Sequence, residues 1–214
     1  LVVAEFPGER FIKICGVTNL GDVETVIEAG ADGLGLILAT SSRRVSIEQA
    51  GELTNAAKGR VVVTGVFRDS DDSVILSALD LLALDVVQIH GALGPELLGA
   101  LRQRGLKVVK ALAIGSAEFF DFDDSEVDAV LIDGPSPGSG KTHSWDDLSE
   151  RKFRVPVIAA GGLTPDNVGD TIRFTGAWGV DTASGVESAP GVKDRTLVRR
   201  FVENARLAME QRED

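Results

Sequence analysis

Phe11-Ile12-Lys13-Ile14-Cys15-Gly16 reads as a short strand, β-branched and apolar, that stops at a glycine and leaves a cysteine at its carboxyl end. Asn19 can cap the helix that follows, with Val23, Val26 and Ile27 at helical spacing and Gly30 as its stop. The same phrase recurs down the chain. Strands are expected at 33–39, 60–67, 85–90, 106–114, 128–133, 155–160 and 177–183. Helices are expected at 46–58, 71–82, 95–104 and 165–174, with a long amphipathic one at 194–211 and short, weak ones at 116–122 and 145–151.

Counting gives about eight strand-helix units of roughly 25 residues each. The strands are continuous apolar runs, as a parallel sheet buried on both faces demands. A doubly wound sheet would ordinarily carry Gly-x-Gly-x-x-Gly after its first strand, and Cys15-Gly16-Val17-Thr18-Asn19 is not that. The expected fold is α/β: a single (β/α)8 TIM barrel, parallel and eight-stranded, over residues 11–214, preceded by a variable N-terminal segment at 1–10.

With 214 residues and 43% hydrophobic content, the chain can build one substantial core. Its formal charge of −11, from 33 acidic and 22 basic residues, opposes a polyanion, so nucleic acid is not an expected partner. A small phosphorylated ligand stays compatible, because backbone amides hold one phosphate without net positive charge. Cys15 is the only cysteine, which excludes an internal disulfide and a structural zinc site and fits a reducing compartment. Residues 1–10 show no signal-peptide pattern, and no apolar run approaches the roughly 20 residues that cross a bilayer. A cytoplasmic protein with no membrane partner is expected.

In such a barrel, chemistry gathers where the strands end. That rule selects Cys15, the Arg43-Arg44 loop, Arg68-Asp69, Gln88 to Gly91, Lys110, Asp133, Gly161-Gly162 and Asp181 to Gly185. Gly161-Gly162 and Ser184-Gly185 offer backbone N–H groups after the seventh and eighth strands, where barrels often hold phosphate. Cys15 alone would be a small buried hydrophobe. At the mouth it could be a nucleophile or base, with Lys13 one pleat below favouring the thiolate. Asp133 either caps a Gly/Pro-rich loop or, shielded from water, delivers a proton. His90 either bonds a neighbouring loop or meets a ligand. Arg43 and Arg44 are a solvated pair or, with one turned inward, a carboxylate clamp. Gly138 to Thr142 ends like a Walker A loop, but Pro135 stands where that motif needs glycine. It reads instead as a lid or a phosphate-side loop.

Several segments, in order, share one further likeness: Lys13 to Asn19, Ser42 to Ser46, Gly65-Val66-Phe67, Gln88 to Gly91, Leu131-Ile132-Asp133, Ala160 to Val168, and Asp181 through Glu187 to Asp194. Together they resemble the phosphoribosylanthranilate isomerase family of tryptophan biosynthesis. The resemblance implies a (β/α)8 barrel that converts N-(5-phosphoribosyl)anthranilate to 1-(2-carboxyphenylamino)-1-deoxyribulose 5-phosphate by an Amadori rearrangement, with no metal or redox cofactor. It implies Asp133 as general acid, Cys15 as general base, Arg44 on the anthranilate carboxylate, Asp181 on sugar hydroxyls, and Gly162, Ser184 and Gly185 on the phosphate. Gly161 and His90 join the substrate-binding set from their strand ends. The chain departs from the family pattern at Thr182-Ala183 and along Gly138 to Trp145. Two alternatives stay open: a related barrel acting on another aminoaldose phosphate of histidine-pathway type, and a non-catalytic phosphosugar-binding barrel.

Overall fold

The protein is described by a computed structural model over residues 8–134 and 145–211. Eight parallel strands close into a barrel in sequence order. They are β1 Phe11–Cys15, β2 Gly33–Ile37, β3 Val62–Arg68, β4 Val86–His90, β5 Lys107–Ala113, β6 Ala129–Asp133, β7 Val157–Ala159 and β8 Gly179–Thr182. Around them lie α1 Leu20–Glu28, α2 Ile47–Ala57, α3 Asp72–Leu79, α4 Pro95–Gln103, α5 Ala117–Asp121, α6 Val168–Thr175 and α7 Arg195–Glu210. The TIM-barrel expectation therefore holds. Residues 1–7 of the N-terminal segment and the Walker-like stretch Gly138 to Thr142 lie outside the described residues.

The opening strand shows how the ring positions chemistry. Ile12 and Ile14 point outward and pack with Val23, Val26 and Phe201 of the surrounding helices. Phe11 packs on the axis with Val86, Val109, Ala129, Leu131 and Ile158. Lys13 and Cys15 share that inward parity. Ring closure sets Lys13 in register with Gly33 of β2 on one side and with Asp181 of β8 on the other. Gly35 of β2 leaves room for the cysteine, since a Cβ there would sit 2.7 Å from the Cys15 Sγ.

The opposite end of the barrel is tied by a repeated aspartate. Asp32, Asp85 and Asp128 each precede an even-numbered strand, and their carboxylates accept the amides of Ile12, Val63 and Val108, all at 2.8 Å. Each bond satisfies a backbone N–H at a strand's start. This end serves the scaffold, so the other end is free to vary for function.

Three elements differ from the sequence reading. The helix expected at 145–151 is a 3-10 turn, Asp146–Glu150, because Asp-Asp-Leu-Ser-Glu has one apolar residue and no capping bond to nucleate an α-helix. The helix expected from Pro165 starts at Val168, because the Asn167 side chain first takes the Thr164 amide at 2.8 Å. Before α7 stands an unexpected hairpin of β9 Glu187–Ala189 and β10 Val192–Lys193. Strands this short leave no readable alternation.

Candidate active site

One cavity opens where the strands end. It is lined by Cys15 from β1, Arg43 after β2, Arg68 from β3, His90 from β4, Asp133 from β6, Gly161 and Gly162 after β7, and Asp181 and Ser184 at the end of β8. The topology thus gathers seven of the expected residues, Cys15, Asp133, His90, Asp181, Gly161, Gly162 and Ser184, around one space.

Two expected residues lie elsewhere. The arginine lining the cavity is Arg43, whereas Arg44 is exposed to solvent. The cause is a tight turn: the amides of Arg43 and Arg44 bond the Ser41 Oγ and carbonyl at 3.1 and 3.2 Å. Arg44 then re-enters the sheet beside Ile37, while the Arg43 stem lies against Gly16, directly after Cys15. Gly185 also does not line the cavity. Its glycine is demanded by packing, because a Cβ there would run into the Leu163 carbonyl oxygen. Thr182 Oγ1 donates to that same carbonyl at 2.7 Å, which ties the loop after β8 to the loop after β7.

The β7 loop is a glycine turn of fixed shape. Gly161 and Gly162 have φ of 89° and 66°, a region that favours glycine. Asn167 Nδ2 donates to the Gly162 carbonyl at 3.0 Å, so the residue that delays α6 also pins this turn. The sequence reading gave Asn167 no role. An Asn at the head of an expected helix, five residues past a glycine pair, was the available signal.

Burial sets the ionisation of the site. Lys13 Nζ lies 2.9 Å from Asp181 Oδ1, with the two side chains 1% and 9% exposed. Burial opposes the lysine charge, but the Asp181 carboxylate and Cys15 together outweigh it and the Lys13 pKa rises. Burial pushes the Asp181 carboxyl up, against the pull of Lys13. Cys15 is pushed up by burial, and the lowering effect of Lys13 does not overcome this. Lys13 therefore acts in the expected direction, but the resting group is the neutral thiol.

Asp133 is pushed up to about 6, chiefly by burial and also by the Asp181 charge, against a bond from the Gly134 amide at 3.0 Å. Burial, followed by the charges of Arg68, Lys13 and Lys110, pushes His90 down to about 3. Its ring is neutral near pH 7. The Gln88 amide Nε2, a donor, sits 2.8 Å from His90 Nε2, which leaves the hydrogen on Nδ1.

Arg43 is gripped from behind by a residue the sequence reading passed over. Its Nε and Nη2 donate to the two oxygens of Glu187 at 2.7 and 2.8 Å. Glu187 also takes Lys193 Nζ at 2.8 Å, and Lys193 donates to the Ala183 carbonyl at 3.0 Å, just before Ser184. Burial works against the Glu187 charge, but bonds from Arg43 and Lys193 outweigh it and hold its carboxyl low. The Glu187 and Lys193 side chains are 5% and 0% exposed, so removing one charge strands another in a poor solvent. Glu187→Gln is expected to lose about 3 kcal/mol of stability in urea unfolding. An unchanged midpoint would show that Glu187 does not anchor the cluster.

The family described as "N-(5'phosphoribosyl)anthranilate (PRA) isomerase" matches residues 12–204. The N-(5'-phosphoribosyl)anthranilate isomerase of Paramagnetospirillum magneticum is 39% identical over 209 residues, covering 91% of this chain and 96% of the relative. The phosphoribosyl anthranilate isomerase structure from Thermotoga maritima superposes with a TM-score of 0.82 at 32% identity, covering 92% and 98% of the two chains. A further phosphoribosyl anthranilate isomerase structure, with TM-score 0.80 and 30% identity over 92% and 98%, holds reduced 1-(o-carboxyphenylamino)-1-deoxyribulose 5-phosphate. A barrel closed in the same order, matched along nearly its whole length, leaves one assignment: this chain belongs to the N-(5'-phosphoribosyl)anthranilate isomerase family.

Proposed function

We propose that the family's reaction runs in this cavity with Asp133 as general acid and Cys15 as general base. The chain is an isomerase of tryptophan biosynthesis that catalyses the Amadori rearrangement of N-(5-phosphoribosyl)anthranilate. The observation that carries the assignment of roles is a carboxyl group and a thiol lining one cavity, with the carboxyl pushed up to about 6.

Asp133 takes a backbone bond on Oδ1, and its protonated form can donate to the furanose ring oxygen. The bond from that oxygen to C1 breaks, and the nitrogen lone pair forms a protonated imine. Cys15, once its thiol proton has passed to solvent, then removes the proton from C2 as the thiolate. The freed electron pair makes the enolamine, whose tautomerisation gives the ketone. The imine's positive charge favours the thiolate just when it is needed, adding to the effect of Lys13.

The phosphate is assigned to the Gly161-Gly162 turn and the loop at Ser184, with Gly185 allowing the two loops to meet. Asp181 is assigned to the sugar hydroxyls, and His90 offers its Nδ1–H beside them. Arg43, in place of Arg44, gives the aryl end hydrogen bonds of fixed direction. The reading needs Cys15 as a free thiol, which suits the reducing cytoplasm. Among the described residues no helix is long and apolar enough to cross a membrane.

The test is turnover of phosphoribosylanthranilate, made from ribose 5-phosphate and anthranilate, in the presence of the purified protein. Loss of substrate fluorescence with formation of an isomer of equal mass is expected. Persistent substrate at equimolar protein would overturn the proposal. Running the histidine-pathway aminoaldose phosphate beside it checks whether the site is selective.

A further inference from the structure

We propose that Lys193 is a positioning residue for phosphate binding: by holding the Ala183 carbonyl behind the cavity wall, it turns the Ser184 N–H toward the substrate's phosphate. The inference rests on the function proposed above, which assigns the phosphate to this loop, and deepens it by naming what aims the loop's donor.

Ala183 and Ser184 both line the cavity, directly after β8. The Ala183 backbone, at φ −125° and ψ −75°, continues neither the strand before it nor a helix after it. Regular structure therefore does not set how the peptide between 183 and 184 is turned. Lys193 does. Its Nζ donates to the Ala183 carbonyl at 3.0 Å, while its side chain is 0% exposed and takes no part in the cavity lining. In a planar trans peptide the C=O and N–H point in opposite directions. With the oxygen drawn to a buried ammonium, the Ser184 N–H is left facing the cavity, and among the described residues no backbone carbonyl takes it.

Lys193 has a firm footing of its own. Its hairpin is tied to the loop after β1, where Thr18 Oγ1 donates to the Gly191 carbonyl at 2.6 Å. It is tied again at its base, where the Asp194 amide donates to the Val186 carbonyl at 2.9 Å. Glu187, shared with Arg43, takes Lys193 Nζ at 2.8 Å and keeps the ammonium from being buried unpaired. A methionine would fill the same space without the cost of burying a charge, so packing alone does not call for lysine. A point charge with three N–H donors does suit a place where a carboxylate and a carbonyl are held at once.

The experiment reads the Ser184 amide directly. In amide NMR spectra of the full chain, titration with inorganic phosphate is expected to move the Ser184 resonance saturably in the parent protein and to leave it nearly unmoved in Lys193→Met. Lys193→Gln, which keeps a neutral N–H donor, is expected to retain part of the shift. Should Lys193→Met fail to fold, Lys193→Met with Glu187→Gln leaves no unpaired buried carboxylate and carries the same expectation. In parallel, Lys193→Met is expected to raise the Kd of the reduced product analogue roughly 10- to 100-fold, and that of its phosphate-free counterpart by no more than about twofold. Equal weakening of both ligands, or no weakening of either, would overturn the proposal. So would a Ser184 resonance that phosphate leaves unmoved in the parent, or one that still moves in Lys193→Met. If the parent protein turned over no phosphoribosylanthranilate, the assigned function would fall. The phosphate titration would still decide whether Lys193 aims the Ser184 amide.

Discussion

Cys15→Ala and Asp133→Asn are each expected to lower kcat about a thousandfold or more while leaving the fold intact. Asp133→Asn is nearly isosteric, and Cys15→Ala deletes a single heavy atom. Alanine at 15 removes the sulfur that Gly35 makes room for, and asparagine at 133 can still accept the Gly134 amide. Neither variant can move its proton: an amide does not protonate the ring oxygen, and a methyl group does not take the C2 proton. Steady-state turnover, with circular dichroism to check folding, decides. Near-full activity in either variant would remove that residue from its role.

Asp133→Asn carries a second expectation, of opposite sign. The folded-state pKa of about 6 lies above the reference value of 3.8. The raised pKa favours folding below the unfolded-state value, and that advantage is lost as pH rises through 6. The asparagine variant should therefore match the parent protein near pH 3.5 and be the more stable of the two at pH 8, by at most roughly 3 kcal/mol. Urea unfolding at the two pH values measures it. Stability gained as activity is lost would mark Asp133 as a group held for chemistry.

Lys13→Met is expected to damage both stability and the base. It strands Asp181 without its ion-pair partner, and losing one member of a buried pair costs about 3–5 kcal/mol. The loss should grow with pH, because at low pH Asp181 can take a proton instead. Lys13 is also the largest influence holding the Cys15 thiol down against burial, so the thiol pKa should rise further. Ultraviolet titration of the thiolate reads this directly, and an unmoved pKa would count against the pairing. Lys13→Met with Asp181→Asn removes both charges, so stability should return in the double variant while activity does not.

The sequence by itself determined what short stretches decide. Asn19 and Ser46 cap α1 and α2 as read, because each cap is a bond between residues three apart. The apolar strand runs announce burial on both faces, and repetition of one strand-helix unit announces a closed ring. Family membership was legible for the same reason: the segments that carry it follow one another along the chain.

Only the tertiary structure decided how the mouth is charged. The Lys13–Asp181 pair exists because β8 closes onto β1. Arg43 rather than Arg44 faces inward because a turn at Ser41 aims it, and it is held there by Glu187, shared with Lys193, from a hairpin too short to read. The fate of the opening stretch follows from this. Its sequence places Lys13 under Cys15 on one face, but the resting state of the thiol depends on how completely the closed barrel strips water from both. Desolvation is a property of the packed surroundings, and there it outweighs the lysine two residues away.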